Sequence, residues 1–533
     1  MPMKRNFSIL QNRTFDLLVC GGGIYGAWTA YDAALRGLKV AIVDQGDWAN
    51  ATSSASTKLI HGGLRYLESY DFKLVKKALA ERRMLLQAAP HCVWPLRFGV
   101  PVYAHSRIGY FQLKLGLTLY DFLAGKATPA MRHHHFNRQR FAALFPRINP
   151  SELNGGFTYP DAQTDDARLV IELITGAMAA GAVCVNYCKV TDLCETDGQV
   201  SGARIQDMLR GDTAKIHARQ VVYAIGQWLA ESAQSKEWCR LSKGIHLVMP
   251  NILHDEAMLL TAKSDGRVFF IIPWYGVTLL GTTDTDYHGK IEQVDVEDSD
   301  IRYLLAAVND YLETGWTRAD IIGKYAGVRV LNQSDHSAAA VSPSAVSRDW
   351  ELKTTDNGVH YSIGGKLTSA RQDAACIVDI VCARLGKKAA CATNGKAFPW
   401  APNERFADWM AAMNKRAAEL KIDAESTKWL IRRHGKRVIE IFRSIEHTFT
   451  LANRITPSLP FIYADLLYCA RTEMVVHLAD LLRRRMPLLI LAQLTKDDLQ
   501  QLAEKVASTM GWDDATVNRE VEHCYRQWLA QNL

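Results

Sequence analysis

The sequence predicts an α/β protein followed by an antiparallel β region and an all-helical C-terminal region. Three observations carry this. First, "FDLLVC" at 15–20 leads through a glycine-rich turn into "GGGIYGAWTAYDAALRG", and "KVAIVD" follows at 39–44. That is strand, turn, helix and strand within about 30 residues, a βαβ unit. Second, between 245 and 283 the pattern changes to short β-rich runs, "GIHLVMP" and "RVFFIIPWYGVTLLGTTD", with Tyr275-Gly276 as a hairpin turn. Third, nearly every segment beyond about residue 400 has helical periodicity.

The remaining elements follow in order. Residues 71–89 form an amphipathic helix with Phe72, Val75, Leu79 and Leu86 on one side. The run 169–188 reads as a buried helix, a glycine stop at Gly181 and a strand. "QVVYAIGQW" at 220–228 is a strand reaching a glycine, and "GVHYSIGGKLTSAR" at 358–371 is strand, Gly-Gly turn and helix. Thr495-x-x-Asp498 resembles a helix-capping box.

With 533 residues, 48% of them hydrophobic and 22% charged, the chain is long enough for roughly three globular units. A net charge of +7 suits anionic ligands or an anionic membrane surface and makes no case for nucleic acid. The basic runs at 431–437 and at Arg483, Arg484 and Arg485 are expected to be solvated helix faces. Eleven cysteines without a C-x-x-C pair indicate reduced structural thiols and a cytosolic setting. "RHHH" at 132–135 is expected to be a surface loop, with no metal bound. No N-terminal segment has the form of a signal peptide, and no run is apolar enough for a transmembrane helix.

Gly21-x-Gly23-x-x-Gly26 is a dinucleotide fingerprint. Its glycines permit a tight turn, backbone approach to a pyrophosphate and close helix–strand packing, and the helix N-terminus offers unpaired N–H groups. Asp44, ending the second strand, is placed to accept from a ribose hydroxyl. Thr52, Ser53, Ser54 and Lys58 follow in a polar loop where a nicotinamide enzyme would continue with another βα repeat. "AIGQW" (Gly226, Trp228) and "GGKLTSAR" (Gly365, Lys366, Leu367, Thr368) add two more glycine turns, an arrangement suited to a long buried FAD.

Taken together, "GGGIYGAWTAYDAALRGLKVAIVD", "TSSASTKLIHGGLRYLE", "KGIHLVMP", "IIPWYGVTLLGTTD", "AGVRVL", "VSRDW" and "GGKLTSAR" run in an order that resembles the flavin-dependent, quinone-linked glycerol-3-phosphate dehydrogenases. The resemblance spans nearly the whole chain. It implies an FAD-binding domain of the glutathione-reductase or D-amino-acid-oxidase type, an antiparallel β substrate domain and an α-helical C-terminal cap. The expected ranges are 1–100, 161–243 and 341–390 for the FAD domain, 101–160 for a substrate- or membrane-facing insertion, 244–340 for the substrate domain and 395–533 for the helical domain. Leu59 joins the residues expected at the cofactor.

The same resemblance implies a substrate pocket of Arg65, Tyr66, His246, Arg329, Arg348 and Lys366, with His246, Arg329 and Lys366 in catalysis. A phosphorylated alcohol of charge near −2 needs several cations, preferably arginine, and a group to take the hydroxyl proton. By chemistry His246 is the natural proton acceptor. Arg329 suits the hydroxyl, and Arg348 with Arg65 or Lys366 suits the phosphate; sequence does not divide these roles further. The implied partners are glycerol 3-phosphate and a membrane quinone, at the cytoplasmic side of the inner membrane; a homodimer is admitted.

Four residues depart from the family pattern. Tyr25 and Trp28 are large where small residues are usual, and Gln227 and Val330 each replace a proline. They keep open a related FAD enzyme acting on another anionic alcohol or amine. "RIGYFQLKLGLTLYDFLAGK" at 107–126 carries Ile108, Phe111, Leu115, Leu119 and Phe122 at helical spacing, with Arg107, Lys114 and Lys126 as cations. It reads either as an interfacial membrane helix or as a core helix.

Overall fold

The computed structural model describes residues 2–11, 13–125, 129–333 and 349–529. Its first sheet is built on the N-terminal βαβ unit. Strand β1 (Thr14–Cys20) pairs in parallel with β2 (Val40–Val43) on one side and with Thr213–Tyr223 on the other. Val183–Val185 extends the parallel sheet beyond β2, and His360–Ile363 extends it beyond Thr213–Tyr223. Such strands are covered on both faces and so read as continuous apolar runs. Leu17, Leu18 and Val19 are fully buried.

The helices used below are α1 (Ile24–Leu35), α2 (Phe72–Ala88), α3 (Tyr110–Ala124), α4 (Arg138–Leu144), α5 (Asp166–Ala179), α6 (Asp298–Asn309), α7 (Ala370–Arg384), α8 (Phe406–Glu419) and α9 (Ala424–His434). α1 packs against α5 and α7. Its entry turn depends on Gly26, where an added Cβ would stand 1.8 Å from the carbonyl oxygen of Gly21. Only glycine lets the helix lie this close to the turn.

A second, ten-stranded sheet is antiparallel except where Ala257–Thr261 joins Val93–Tyr103 in parallel. Eight strands run in the order Thr285–Asp286, Cys239–Met249, Val277–Gly281, Val268–Trp274, Ala257–Thr261, Val93–Tyr103, Leu153–Thr164 and Leu59–Ile60; the other two, Gly323–Asn332 and His134–Asn137, pair with Cys239–Met249 and Leu153–Thr164. The expected hairpin at Tyr275-Gly276 joins Val268–Trp274 to Val277–Gly281. The sheet also takes strands from outside 244–340, because Leu59–Ile60 brings the polar stretch after Asp44 to its edge. α4 and α6 supply apolar side chains to one core of this region, among them Phe141, Ile301 and Leu304.

Several expectations need correction. On α2, Val75 and Leu79 are buried, but Phe72 is 40% exposed and Leu86 only half-buried. Glu81 and Arg82 occupy the buried side instead, because partners from other elements neutralise them: Glu81 pairs with Arg371 at 2.5 Å and Arg82 with Asp161 at 2.5 Å. The "RHHH" stretch enters a strand, His134–Asn137, with His133 Nδ1 2.7 Å from Asp121.

The basic runs are largely buried, with Lys436 the exposed exception. Arg483, Arg484 and Arg485 are buried in one turn at Leu481–Arg485. Arg485 and Arg484 hold Asp47 at 2.5 and 2.7 Å, and Arg484 also reaches Asp480 at 2.5 Å. Arg433 and His434 are buried on Asp465, and Arg168 of α5 bonds Glu473 at 2.5 Å. Carboxylates distant in sequence make this burial tolerable. They tie the helical C-terminal region to the first sheet, since Asp47 follows β2.

Candidate functional site

The carboxyl ends of the parallel strands open into a cavity of about 1240 Å³, the place where open α/β sheets bind ligands. Cys20 ends β1 and Gly21 follows it, Asp44 follows β2, Tyr223 ends the next strand and leads on to Trp228, and Tyr361 and Ser362 of His360–Ile363 lead on to Gly364 through Thr368. The antiparallel sheet supplies the other wall through Leu259, Val268, Phe270, Thr282 and the run Gly327–Leu331.

Most residues expected at a cofactor line this cavity: Gly21, Gly23, Asp44, Thr52, Ser53, Leu59, Gly226, Trp228, Gly365, Lys366, Leu367 and Thr368. The N-terminus of α1 borders the cavity at Gly23, Ile24 and Tyr25, so its dipole and amides favour phosphate there. Asp44 accepts from the amides of Gly22 at 2.6 Å and Gly46 at 2.8 Å. Burial nevertheless pushes its carboxyl up to about 6. At Gly226 an added Cβ would meet no atom within 4 Å, so the backbone there faces open space. Turn, helix terminus, acid and a cavity of this volume fit an FAD.

Three expected cofactor residues do not line it. Gly26 lies beneath Gly21. Ser54 is 4% exposed and turns its hydroxyl to the carbonyl of Ala51. Lys58 is 1% exposed, with Nζ 2.6 Å from Asp166 and 2.7 Å from the carbonyl of Ser54. Burial lowers its pKa, and the charge of Asp166 acts against that. Lys58 braces the loop from below.

Of the expected substrate residues, Arg65, Tyr66, Arg329 and Lys366 all line the cavity. Gly63, at φ 74°, begins the turn that delivers the first two, and an added Cβ would stand 2.4 Å from the Tyr66 ring. That ring gathers cations: Lys366 Nζ lies 4.0 Å from its centroid and the Arg65 guanidinium 5.0 Å. Arg329 donates to Thr282 Oγ1 at 2.9 Å and to the Thr283 carbonyl at 3.3 Å. Arg348 lies outside the described residues.

His246 is present but screened. It is 1% exposed, stacks on Tyr325 with centroids 4.8 Å apart, and does not line the cavity. Its Nε2 is 3.1 Å from the hydroxyl of Thr57, which does line the cavity. Burial holds its pKa well below 6.5, with Arg329 and Lys58 adding repulsion, so the ring is neutral near pH 7. The sequence marks Thr57 only by its place between Ser56 and Lys58 in the polar stretch, and Tyr25 only as a departure from the family pattern. Its hydroxyl accepts from the amide of Lys366 at 2.9 Å and donates to Asp373 at 2.8 Å, clamping the Gly-Gly-Lys turn to α7.

Comparison with known proteins agrees with this architecture. Residues 16–371 match the family described as FAD dependent oxidoreductase, and residues 403–517 match the C-terminal domain of alpha-glycerophosphate oxidase. A glycerol-3-phosphate dehydrogenase of Synechocystis is 34% identical, over 99% of this chain and 98% of its own length. The aerobic glycerol-3-phosphate dehydrogenase of Bacillus subtilis is 33% identical, over 97% and 95%. The crystal structure of glycerol-3-phosphate dehydrogenase from Bacillus halodurans, complexed with FAD, superposes with a TM-score of 0.77 at 27% identity, over 98% of this chain and 96% of that one.

Proposed function

The chain belongs to the family of FAD-dependent glycerol-3-phosphate dehydrogenases, and from that premise we propose how its residues oxidise sn-glycerol 3-phosphate to dihydroxyacetone phosphate and where the electrons go. The observation that carries the reading is the pair of cations on Tyr66, which lines the same cavity as Arg329 and the dinucleotide turn. A protein that only stored FAD would need no such group.

FAD, held by the α1 N-terminus, Asp44, Thr52, Ser53 and the turns at Gly226 and Gly365, supplies the two-electron hydride acceptor. Arg65 and Lys366 bind the phosphate, with Tyr66 fixing both cations. Arg329, held by Thr282 and Thr283, faces the developing alkoxide charge. Thr57 takes the hydroxyl proton as it donates its own to His246 Nε2, so the neutral imidazole is the final base.

The electrons pass on to a membrane quinone, and the protein is peripheral at the cytoplasmic membrane surface. Among the described residues no helix is long and apolar enough to cross a membrane. α3 supports attachment instead. Leu113, Leu117 and Tyr120 are buried, while Phe111, Leu115 and Phe122 are 84, 72 and 77% exposed on its outer side. Three large exposed apolar residues beside Lys114 suit the lipid interface.

Anaerobic addition of glycerol 3-phosphate to the purified flavoprotein tests the assignment. The flavin band at about 450 nm should bleach and return on adding a quinone analogue. Bleaching by another anionic alcohol or an amine, with none by glycerol 3-phosphate, would reassign the substrate. Reoxidation by oxygen but not by quinone would make the protein an oxidase.

A further inference from the structure

The described residues form a second cavity, open to solvent and of about 950 Å³, between α2, the end of α3 and helices α8 and α9. Its walls are mainly apolar, with Leu86, Val93, Trp94, Met410 and Ile431 among them. Arg82, Arg83, Lys428 and Arg432 also line it, and no aspartate or glutamate does. An apolar chamber of this size is a small-molecule site by its dimensions. Two of these cations already have carboxylate partners, Arg82 with Asp161 at 2.5 Å and Lys428 with Asp255 and Glu425 at 3.8 Å, so the case for a particular kind of ligand turns on Arg432.

Arg432 is the most telling of them. Its guanidinium lies 4.3 Å from the ring centroid of Trp94 and 5.1 Å from that of Trp429. No ion pair or hydrogen bond to a described residue accompanies those ring contacts. Burial lowers its pKa to about 10. Aromatic faces compensate only part of the lost hydration of a guanidinium. Arg82 adds a second indication: it is 3% exposed, and its Nε has no partner although its Nη1 bonds Asp161. A neutral ligand would leave Arg432 with no counter-ion in direct contact, Glu425 and Asp255 acting on it only at longer range, and Arg82 Nε without an acceptor. Ala124, in the cavity wall, is the last residue of α3, so the chamber adjoins the helix with the exposed apolar side.

We propose that this cavity binds a single-chain anionic amphiphile, its head group on Arg432 and its hydrocarbon chain along the apolar walls. A carboxylate or a phosphate monoester meets the same chemistry. The site is separate from the flavin cavity and does not depend on the substrate assignment.

The test is displacement of 11-(dansylamino)undecanoate from the FAD-loaded protein, with all ligands below their micellar concentrations. Laurate and dodecyl phosphate should compete, and whichever binds more tightly identifies the head group. Dodecanol should bind about tenfold more weakly, the loss of one charge-assisted contact. Arg432→Gln should abolish the preference for anions. Ala418→Trp, at an exposed position lining the cavity, should block every ligand. Both variants should keep the flavin spectrum. Absence of saturable binding, equal competition by dodecanol and laurate, or unchanged binding by Ala418→Trp would each overturn the proposal.

Discussion

Thr57→Val tests the proposed proton route most sharply. The substitution keeps the β-branched shape and removes the hydroxyl that links the cavity to His246 Nε2, 3.1 Å away. If that bond only positions the imidazole, its loss costs about 1 kcal/mol, or roughly fivefold in rate. If the hydroxyl passes the proton, the reductive rate should fall by about 10²–10⁴. The two values are far enough apart to decide. The assay is stopped-flow flavin reduction at saturating glycerol 3-phosphate. His246→Gln should lose a similar factor, and the double variant little more than either single one, because the groups act as a unit. Thr57→Ser should restore most of the rate. The pH profile gives an independent reading. Since His246 titrates well below 6.5, the wild-type rate should hold from pH 8 down past 6.5 and fall only as the ring becomes protonated at lower pH. A Thr57→Val rate within fivefold of wild type, or additive losses in the double variant, would refute the route.

Other expectations follow from the same contacts. Arg65→Ala should raise KM for glycerol 3-phosphate ~30-fold, about 2 kcal/mol for a charge-assisted contact, with FAD content unchanged; loss of FAD at unaltered KM would contradict the placement of Arg65. Asp47→Ala should cost ~3–5 kcal/mol of stability by stranding buried arginines, read as a lower melting temperature. Burial raises the Asp47 carboxyl, but Arg485 and Arg484 outweigh it and hold the pKa at about 2, below the ordinary 3.8. That depression contributes ~2 kcal/mol, present above pH 4 and lost as pH falls through 2, so acid should remove stability that Asp47→Ala has already lost. Replacing Phe111, Leu115 and Phe122 together with serine should reduce sedimentation with anionic vesicles without altering flavin reduction by substrate; unchanged sedimentation would rule out α3 as the contact.

The parts legible in sequence are those fixed by neighbours along the chain. The fingerprint turn, the Tyr275-Gly276 hairpin and the Gly-Gly-Lys turn each combine an apolar period with glycines at set spacing, and each forms where expected. The parts not legible depend on partners far away in sequence. Arg484 and Arg485 look like a solvated run until Asp47, some 437 residues earlier for Arg484, supplies the opposing charge. Lys58 belongs to a nucleotide-loop motif by sequence, yet Asp166 draws its ammonium beneath the loop. His246 reads as a pocket histidine, and only the packing of Tyr325 and Thr57 shows that it reaches the cavity through a hydroxyl. α3 is half of each alternative offered for it, with one side buried in the core and the other exposed.

The four departures from the family pattern bear on the substrate in different degrees. Trp28 does not touch the cavity; it is 2% exposed and meets Phe398 edge-on at 5.3 Å, so its size serves packing of the first domain. Val330 sits opposite Leu241 in the sheet and keeps a backbone N–H that proline would lack. Gln227 donates to the carbonyl of Ile291 at 2.8 Å, binding the turn after Gly226 by a side chain. Tyr25 alone reaches the cation group, through the amide of Lys366. It anchors that amide to Asp373, which Lys77 holds at 2.5 Å and Ser369 at 2.9 Å. Three of the four therefore concern how the backbone around the cavity is held, and Trp28 concerns the core. None places a new charge beside Arg65, Arg329 or Lys366, and the one new acceptor there, the Tyr25 hydroxyl, is taken by the Lys366 backbone amide. The cations proposed to recognise a small phosphorylated alcohol are kept while the scaffold beneath them changes.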